Sequence, residues 1–584
     1  MPTSIALSLD QMLLLGLLAG MLVVFAIDRF RIEVVALAGL GLAAIIGLVA
    51  PEKIFAGFAN PAVVTVVEIL LIIQVLGRAR ILERTARRVA AAGHGETRLI
   101  LGLCAVSAAL SVFMNNIGAL ALMLPAVTTL ADASGISLKR LLLPVSYATL
   151  LGGMCSLIGT PANLLVSQAL VAAGDAPIGF FAFAVAGLPV TLVGLALAVF
   201  WVPRHFDEDD GRSLQDGNGR MAVTEITVPA TSPLCTLTLA DLARGHGITC
   251  HGVIRDGRRV FARPDDIVIA AGDLLVVSAD LAALDRLIAA GDIASPDPLE
   301  ARPVSRAEIV IMPESTLVGS RIGTIELFGA LGLRVVALST RFPRIEGRLA
   351  DIQLGVGDVL VLEGERLALA EVARETETLT LTPSPPTPAP VASPLPPTAF
   401  VAGIVLAATG LLSPELAFGL VLLVLVVARE INLRSALADL NWPIILMLGA
   451  LIPLGSAVET TGAGAALAGA LLSLLPATPF FLLVATLLLA VAITPFVNNA
   501  STAIVLAPIA LELARAAGLP PEPFLIAIAV GASTDFITPI GHHNNTLAMT
   551  IGNYRFSDFV RCGWPLTLAS VLVGGGALTL FWLG

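Results

Sequence analysis

Two asparagine pairs stand inside long apolar runs of this sequence. Asn115-Asn116 lies in Phe113-Met114-Asn115-Asn116-Ile117-Gly118, and Asn498-Asn499 lies in Phe496-Val497-Asn498-Asn499-Ala500-Ser501. Two other runs carry polar breaks, Ile158-Gly159-Thr160-Pro161-Ala162-Asn163 and Thr538-Pro539-Ile540-Gly541-His542-His543-Asn544-Asn545. Amide oxygens and the carbonyls of unwound backbone suit a hard cation such as Na⁺. Helix N-termini present free N–H groups and the positive end of the dipole, which suit an anion. Asp535, three residues before Thr538, is a further candidate cation ligand or proton site. Glu68 sits inside an apolar run, where a carboxylate is a functional candidate by default. His542 and His543 could titrate near neutrality or bond a substrate. No Ser-His-Asp spacing, metal cluster or P-loop accompanies these residues, so the chemistry expected is binding rather than catalysis.

The elements that must position these residues are membrane helices. Of 584 residues, 56% are apolar and 13% charged, against about 45–50% and 25% in soluble domains. The mean hydropathy is +0.91, which excludes a single soluble core. Between Phe206 and Pro390 lie 27 of the 44 acidic and 17 of the 34 basic residues, a net −10 equal to the formal charge of the whole chain. The chain therefore reads as a polytopic α-helical membrane protein, two neutral membrane blocks around an acidic α+β insert. Cys104, Cys155, Cys235, Cys250 and Cys562 form no CxxC and no disulfide framework. No basic run interleaved with aromatics suggests nucleic acid.

A span needs about 20 mostly apolar residues. In the first block spans are expected at 11–27, 34–50, 62–77 and 178–202. Paired asparagines cannot face lipid, so 98–131 is expected to be a re-entrant hairpin with its tip at Asn115–Gly118. The run 141–172 reads as one broken span. The second block repeats the order, with spans at 398–411, 415–429, 442–457 and 559–583, a hairpin over 480–516 and a broken span over 523–551. Pro125 and Pro508 each follow the second asparagine by nine residues, and Thr160-Pro161 and Thr538-Pro539 keep the same order. Five crossings plus a hairpin in each block is odd, which predicts an inverted repeat. Placing Arg78, Arg80, Arg84, Arg87 and Arg88 in the cytoplasm puts both termini outside and residues 206–397 inside, in the inner (plasma) membrane. The expected divisions are transmembrane repeat 1 over 1–205, modules over 206–300 and 301–381, a Pro-rich linker over 382–397 and transmembrane repeat 2 over 398–584.

The insert holds a tandem repeat. Glu225-Ile226-x-Val228-Pro229 recurs as Glu308-Ile309-Val310-Ile311-Met312-Pro313, and Gly272-Asp273-Leu274-Leu275 recurs as Gly357-Asp358-Val359-Leu360, 83 to 85 residues apart. Short β-branched runs bounded by Gly-Asp or Pro turns predict small α+β modules. Pro313-Glu314-Ser315-x-Leu317-Val318-Gly319, with the later Gly357-Asp358-x-Leu360, resembles the C-terminal TrkA (RCK-C) domain. That resemblance implies regulation, or sensing of a small-molecule ligand, on the cytoplasmic side.

The membrane blocks resemble the divalent anion:sodium symporter superfamily, in the branch with an RCK-C insert, over nearly the whole chain. The resemblance implies elevator-type alternating access, and a homodimer is expected. By the same match one sodium site would use Ser111, Asn115, Asn116 and Gly159, and the other Thr494, Asn498, Asn499 and Ile537, with Asp535 nearby. Substrate would sit among Asn116, Gly118, Thr160, Pro161, Asn163, Asn499, Thr538, Pro539 and Asn545. Dicarboxylate-carrying members read Ser-Asn-Thr at each tip, whereas here Ile117 and Ala500 replace the threonines. Ser501, Thr502 or His543 could restore such contacts. Neither core motif contains Arg or Lys, so no bidentate fork awaits a carboxylate. The expected function is Na⁺-coupled transport of a small divalent anion, sulfate first, with a di- or tricarboxylate carrier, coupled to Na⁺ or H⁺, as the alternative. An RCK-regulated channel is disfavoured because no TVGYG-like filter is present.

Overall fold

The computed structural model describes residues 8–582, apart from 28–30, 79–94, 207–220, 257, 261–262, 264, 295–304, 313–314, 341–346, 382–392, 439, 441, 475 and 477. Of the basic stretch after the third helix, Arg80, Arg84, Arg87 and Arg88 lie outside the described residues, as do Pro313-Glu314 and most of the linker.

The apolar runs form helices, several of which keep an internal proline, among them Pro125, Pro144 and Pro508. The first half contains α1 (Leu9–Ile27), α2 (Ile32–Ile45), α3 (Pro61–Arg78), α4 (Glu96–Ser111), α5 (Asn116–Ser134), α6 (Leu138–Gly153), α7 (Pro161–Ala172) and α8 (Ala184–Phe200). After the insert come α13 (Leu395–Ala408), α14 (Pro414–Val427), α15 (Leu433–Ala438), α16 (Trp442–Thr460) and α17 (Ala463–Leu474). The chain closes with α18 (Pro479–Val497), α19 (Asn499–Ala516), α20 (Glu522–Ser533), α21 (His543–Ile551) and α22 (Phe556–Trp582). Both asparagine pairs and both polar breaks interrupt helices, between α4 and α5, α18 and α19, α6 and α7, and α20 and α21.

Among the described residues three helical segments are long and apolar enough to cross a bilayer: Ala184–His205, Pro479–Val497 and Phe556–Trp582. A fourth span arises if α16 and α17, bent by 64°, count as one. Several expected spans are shorter. The runs 34–50 and 398–411 form the 14-residue helices α2 and α13, about 21 Å at 1.5 Å per residue against a hydrocarbon core of about 30 Å. Left-handed Gly47 and Gly410 (φ 82° and 71°) stop them. The linker also ends sooner than expected, because Pro396 and Pro397 fit the first turn of α13, where no amide hydrogen is needed.

Close helix packing repeats between the halves. A Cβ on Gly152 of α6 would lie 2.1 Å from the Ala108 carbonyl oxygen of α4, and one on Gly531 of α20 would lie 2.6 Å from the Leu487 oxygen of α18. Small residues let helix backbones meet where lipid supplies no hydrophobic drive. Gly152→Val will therefore overpack this contact at a cost of about 1–3 kcal/mol. Thermal unfolding of the detergent-solubilised protein checks this, and an unchanged melting temperature would contradict it.

The insert contains β1 (Met221–Thr227), α9 (Leu239–His246), β2 (Thr249–Arg255), β3 (Arg258–Val260), β4 (Leu274–Asp280) and α10 (Leu281–Ala290). Its second half contains β5 (Ser305–Ile311), α11 (Glu326–Ala330), β6 (Arg334–Ser339), β7 (Val359–Gly364), α12 (Arg366–Glu375) and β8 (Thr378–Thr380). The strands form one antiparallel eight-stranded sheet, β3-β2-β4-β1-β6-β7-β5-β8. The two halves join where Val223 pairs with Leu338, beside a 2.6 Å hydrogen bond from Thr224 Oγ1 to the Val336 oxygen. Each Gly-Asp turn is held alike: Asp273 accepts from the Ala270 amide and Asp358 from the Gly355 amide, both at 2.8 Å. Asp273 also grips Arg255 at 2.7 Å and raises its guanidinium pKa. Val310, Met312, Val359 and Leu381 join the apolar cluster of the membrane helices. Gly357 rests on α21, where a side chain would put its Cβ 3.0 Å from Thr550 Oγ1.

Candidate functional site

At each tip the first asparagine is a helix cap. The Asn115 side chain accepts from the Ile117 amide at 3.0 Å and so opens α5. Asn498, at φ 84°, accepts from the Ser501 amide at 2.9 Å and opens α19. Capping satisfies amides that a helix start leaves orphaned. The second asparagines reach outward. Asn116 is buried, its Oδ1 accepts from Ser111 Oγ at 2.8 Å, and its Nδ2 lies 3.2 Å from His542 Nε2. Asn499 Oδ1 accepts from the Ala500 amide, and its Nδ2 donates to Thr160 Oγ1 at 2.9 Å. Thr160 and His542 are the N-caps of α7 and α21. Each tip thus bonds the helix start of the opposite half.

The two breaks are built on one pattern. Asn163 Nδ2 donates back to the Gly153 and Ser156 oxygens at 3.1 and 2.6 Å, and Asn545 Nδ2 donates back to the Asp535 and Thr538 oxygens at 2.6 and 3.0 Å. The Gly159 amide donates to Ser156 Oγ at 3.2 Å, as the Gly541 amide does to Thr538 Oγ1 at 3.4 Å. Equal spacings make Gly153, Ser156, Gly159, Thr160 and Asn163 the counterparts of Asp535, Thr538, Gly541, His542 and Asn545. This corrects the pairing of the Thr-Pro dipeptides. Pro161 begins α7, whereas Pro539 precedes the first residue of α21 by four positions. It also moves the counterpart of Gly159 from Ile537 to Gly541, for the Ile537 amide lies against Gly563 of α22.

Oxygens crowd both glycines. A Cβ on Gly153 would meet Asn116 Oδ1 at 2.1 Å, and a Cβ on Gly159 would meet the Gly153 and Ser111 oxygens at 2.5 and 2.9 Å. In the second half, a Cβ on Gly541 would meet Asp535 Oδ2 at 2.4 Å and the Thr494 oxygen at 3.0 Å. Each nest collects oxygens from a hairpin and a break, a donor set suited to a hard cation and not to a soft metal. Among the described residues no group of three or more His, Cys, Asp or Glu could hold a metal ion. Asn163 Oδ1, Ser501 Oγ and Asn544 Oδ1 are buried without a hydrogen-bond partner. All three stand in the first turn of a helix opening at a tip or break. Buried polar atoms are nearly always satisfied, and these three have hydrogen-bonding capacity left for a bound group.

The profile of the family described as citrate transporter (CitMHS) matches residues 22–507 and 477–584. The chain belongs to the citrate transporter family. It is a membrane transporter and not an enzyme. An uncharacterized transporter of Escherichia coli, YfbS, is 30% identical over 96% of this chain and 97% of its own. Sodium/sulfate cotransporter 2 of Chlamydomonas reinhardtii is 28% identical over 44% of this chain and 32% of its own. The solved YdaH transporter of Alcanivorax borkumensis covers 98% of each chain at 13% identity and a TM-score of 0.43.

Within this family member several residues join the site that the sequence did not single out. Tyr147 donates to the Phe536 oxygen at 2.9 Å, Thr149 Oγ1 accepts from Asn544 Nδ2 at 2.7 Å, and Ser146 Oγ donates to Asn545 Oδ1 at 3.3 Å. Asn544 Nδ2 also donates to the Asn116 oxygen at 3.0 Å. Ser146, Tyr147 and Thr149, in the apolar stretch of α6 after Arg140, carry no motif. Asn544, and the cap position of His542, could have been found by aligning the breaks on their asparagines rather than on Thr-Pro. His543 is half-buried, and the ring that meets the tip is that of His542. Thr502 Oγ1 is turned inward to the Asn498 oxygen at 2.8 Å, leaving Ser501 as the hydroxyl without a partner. Gly118, in the first turn of α5, is half-buried beside Met114.

Proposed function

We propose that this protein is a Na⁺-coupled secondary transporter of a small divalent anion, with sulfate preferred. The observation that carries the reading is the matched pair of oxygen nests, each assembled from one hairpin and one break. Neutral oxygens at the first nest and a mixed set at the second suit Na⁺. The anion would lie between them, facing the openings of α5, α7, α19 and α21, with Asn116, Asn163, Asn499, Ser501 and Asn545 as its nearest polar groups. Helix N-termini supply the positive potential that an Arg or Lys would otherwise provide. The sodium/sulfate cotransporters of Chlamydomonas reinhardtii support both the ion and the anion. The crossed contacts of the tips support two repeats related by inversion, and with them elevator-type alternating access in the plasma membrane. The contact between Gly357 and α21 favours an RCK-C-like regulatory role for the insert, carried on the cytoplasmic side of a homodimer.

The family description favours a second reading, a di- or tricarboxylate such as citrate, because a carboxylate can use the same amides and hydroxyls. One experiment separates them. Purified protein in proteoliposomes will take up radiolabelled sulfate down an inward Na⁺ gradient, and excess succinate or citrate will fail to compete. Strong citrate transport without sulfate binding would overturn the substrate. Full uptake on a proton gradient in Na⁺-free buffer would overturn the coupling ion.

A further inference from the structure

The two nests match in spacing but not in charge. Where the first has the backbone of Gly153, the second has Asp535, whose carboxylate is 1% exposed and lies beside Gly541. Thr538 Oγ1 donates to it at 2.9 and 3.2 Å. Among the described residues no Lys, Arg or His forms an ion pair with Asp535. A carboxylate so deeply buried without a counter-charge is costly, and a cation bound beside it removes that cost. The first nest offers a cation only the neutral oxygens of Ser111, Asn116 and Gly153, and so neither demands one nor holds one as firmly.

We infer that the two cation sites are unequal by one unit of charge: Asp535 makes the nest between α18 and α20–α21 the tight Na⁺ site, and the nest between α4 and α6–α7 is the weak one. This rests on the Na⁺-coupled reading above and adds to it an order of filling. The site bearing Asp535 holds its ion at low Na⁺, and the neutral site fills only at higher concentration. Opposite charges in contact gain far more in a dry interior than in water, so the affinities should differ by at least about tenfold.

Binding of ²²Na⁺ to the purified full-length protein in nanodiscs tests this. The wild type will show two affinity classes. Asp535→Asn, which keeps shape and one oxygen but removes the charge, will lose the tight class and keep the weak one. Gly541→Ala retains the carboxylate but drives a methyl group against Asp535 Oδ2, the Pro495 Cα and the Thr494 oxygen, and will lose the same class, so a folding defect in one variant does not leave the matter open. Gly159→Ala will lose the weak class and keep the tight one. If Asp535→Asn binds Na⁺ with both wild-type affinities, the assignment of the charged site is wrong. If Gly159→Ala, rather than Gly541→Ala, removes the tight class, the order is reversed and the inference fails. Absence of any Na⁺ binding by the wild type would instead overturn the coupling reading on which it rests.

Discussion

Asn545→Ala will reduce transport at least about a hundredfold while the protein remains folded and monodisperse. The Asn545 amide holds the unwound segment by donating to the Asp535 and Thr538 oxygens, and its own oxygen accepts from Ser146. Alanine leaves two buried carbonyls and a hydroxyl unpaired, at about 1–3 kcal/mol each. Each 1.4 kcal/mol is about a factor of ten, so relaxation of the loop by that amount removes the arranged site. Stability will fall less than transport, since the helices on either side keep their own packing. Initial uptake rates in proteoliposomes, with Asn163→Ala as the matched change in the first half, decide the matter. Rates within about threefold of wild type for both would show that the brackets across the breaks are not needed.

Asn116→Ala carries the second large effect. Its side chain joins Ser111 on one side to His542 on the other, and its main-chain oxygen receives Asn544. The substitution removes an oxygen of the proposed first cation nest and the bond to the opposite half together. Uptake will fall by about tenfold to a hundredfold, and the Na⁺ concentration for half-maximal uptake will rise. Asn499→Ala will act in the same direction through the loss of its bond to Thr160. Because the bonds serve one assembly, the double variant will cost less than the two single losses multiplied. A strictly multiplicative double loss would show the tips to be independent.

How far the sequence revealed this site differs from residue to residue. Asn115, Asn116, Asn498 and Asn499 were legible because an amide in an apolar run is costly unless the helix is interrupted there, and both interruptions occur. Asn163 and Asn545 were legible for the same reason. The pairing between the breaks was not, because Thr-Pro is the louder signal and Pro161 and Pro539 perform different tasks. Only hydrogen bonds spanning 10, 7 and 3 residues identify Asp535 with Gly153 and Gly541 with Gly159. Ser146 and Thr149 were silent, since a hydroxyl in a helix can return its hydrogen to the preceding turn and needs no partner in the sequence. In the insert the 83–85-residue repeat suggested two modules. It did not foretell their fusion into one sheet, which depends on the edge of β1 meeting that of β6, or the burial of Val310 and Val359 against the helices.

The crossed bonds at the tips also bear on how one half could inform the other. Cooperative proteins usually need a chain of packed side chains between distant sites, and such chains are hard to prove. Here the contact is direct in each direction, from Asn116 to His542, with Asn544 donating back to the Asn116 oxygen, and from Asn499 to Thr160. Either tip touches the start of a helix in the opposite half, so coupling between them needs no relay. Linkage then requires the reverse influence to be equally strong. The two partners are nonetheless different, an imidazole on one side and a hydroxyl on the other, so the reciprocal messages travel through unlike chemistry and can be silenced separately.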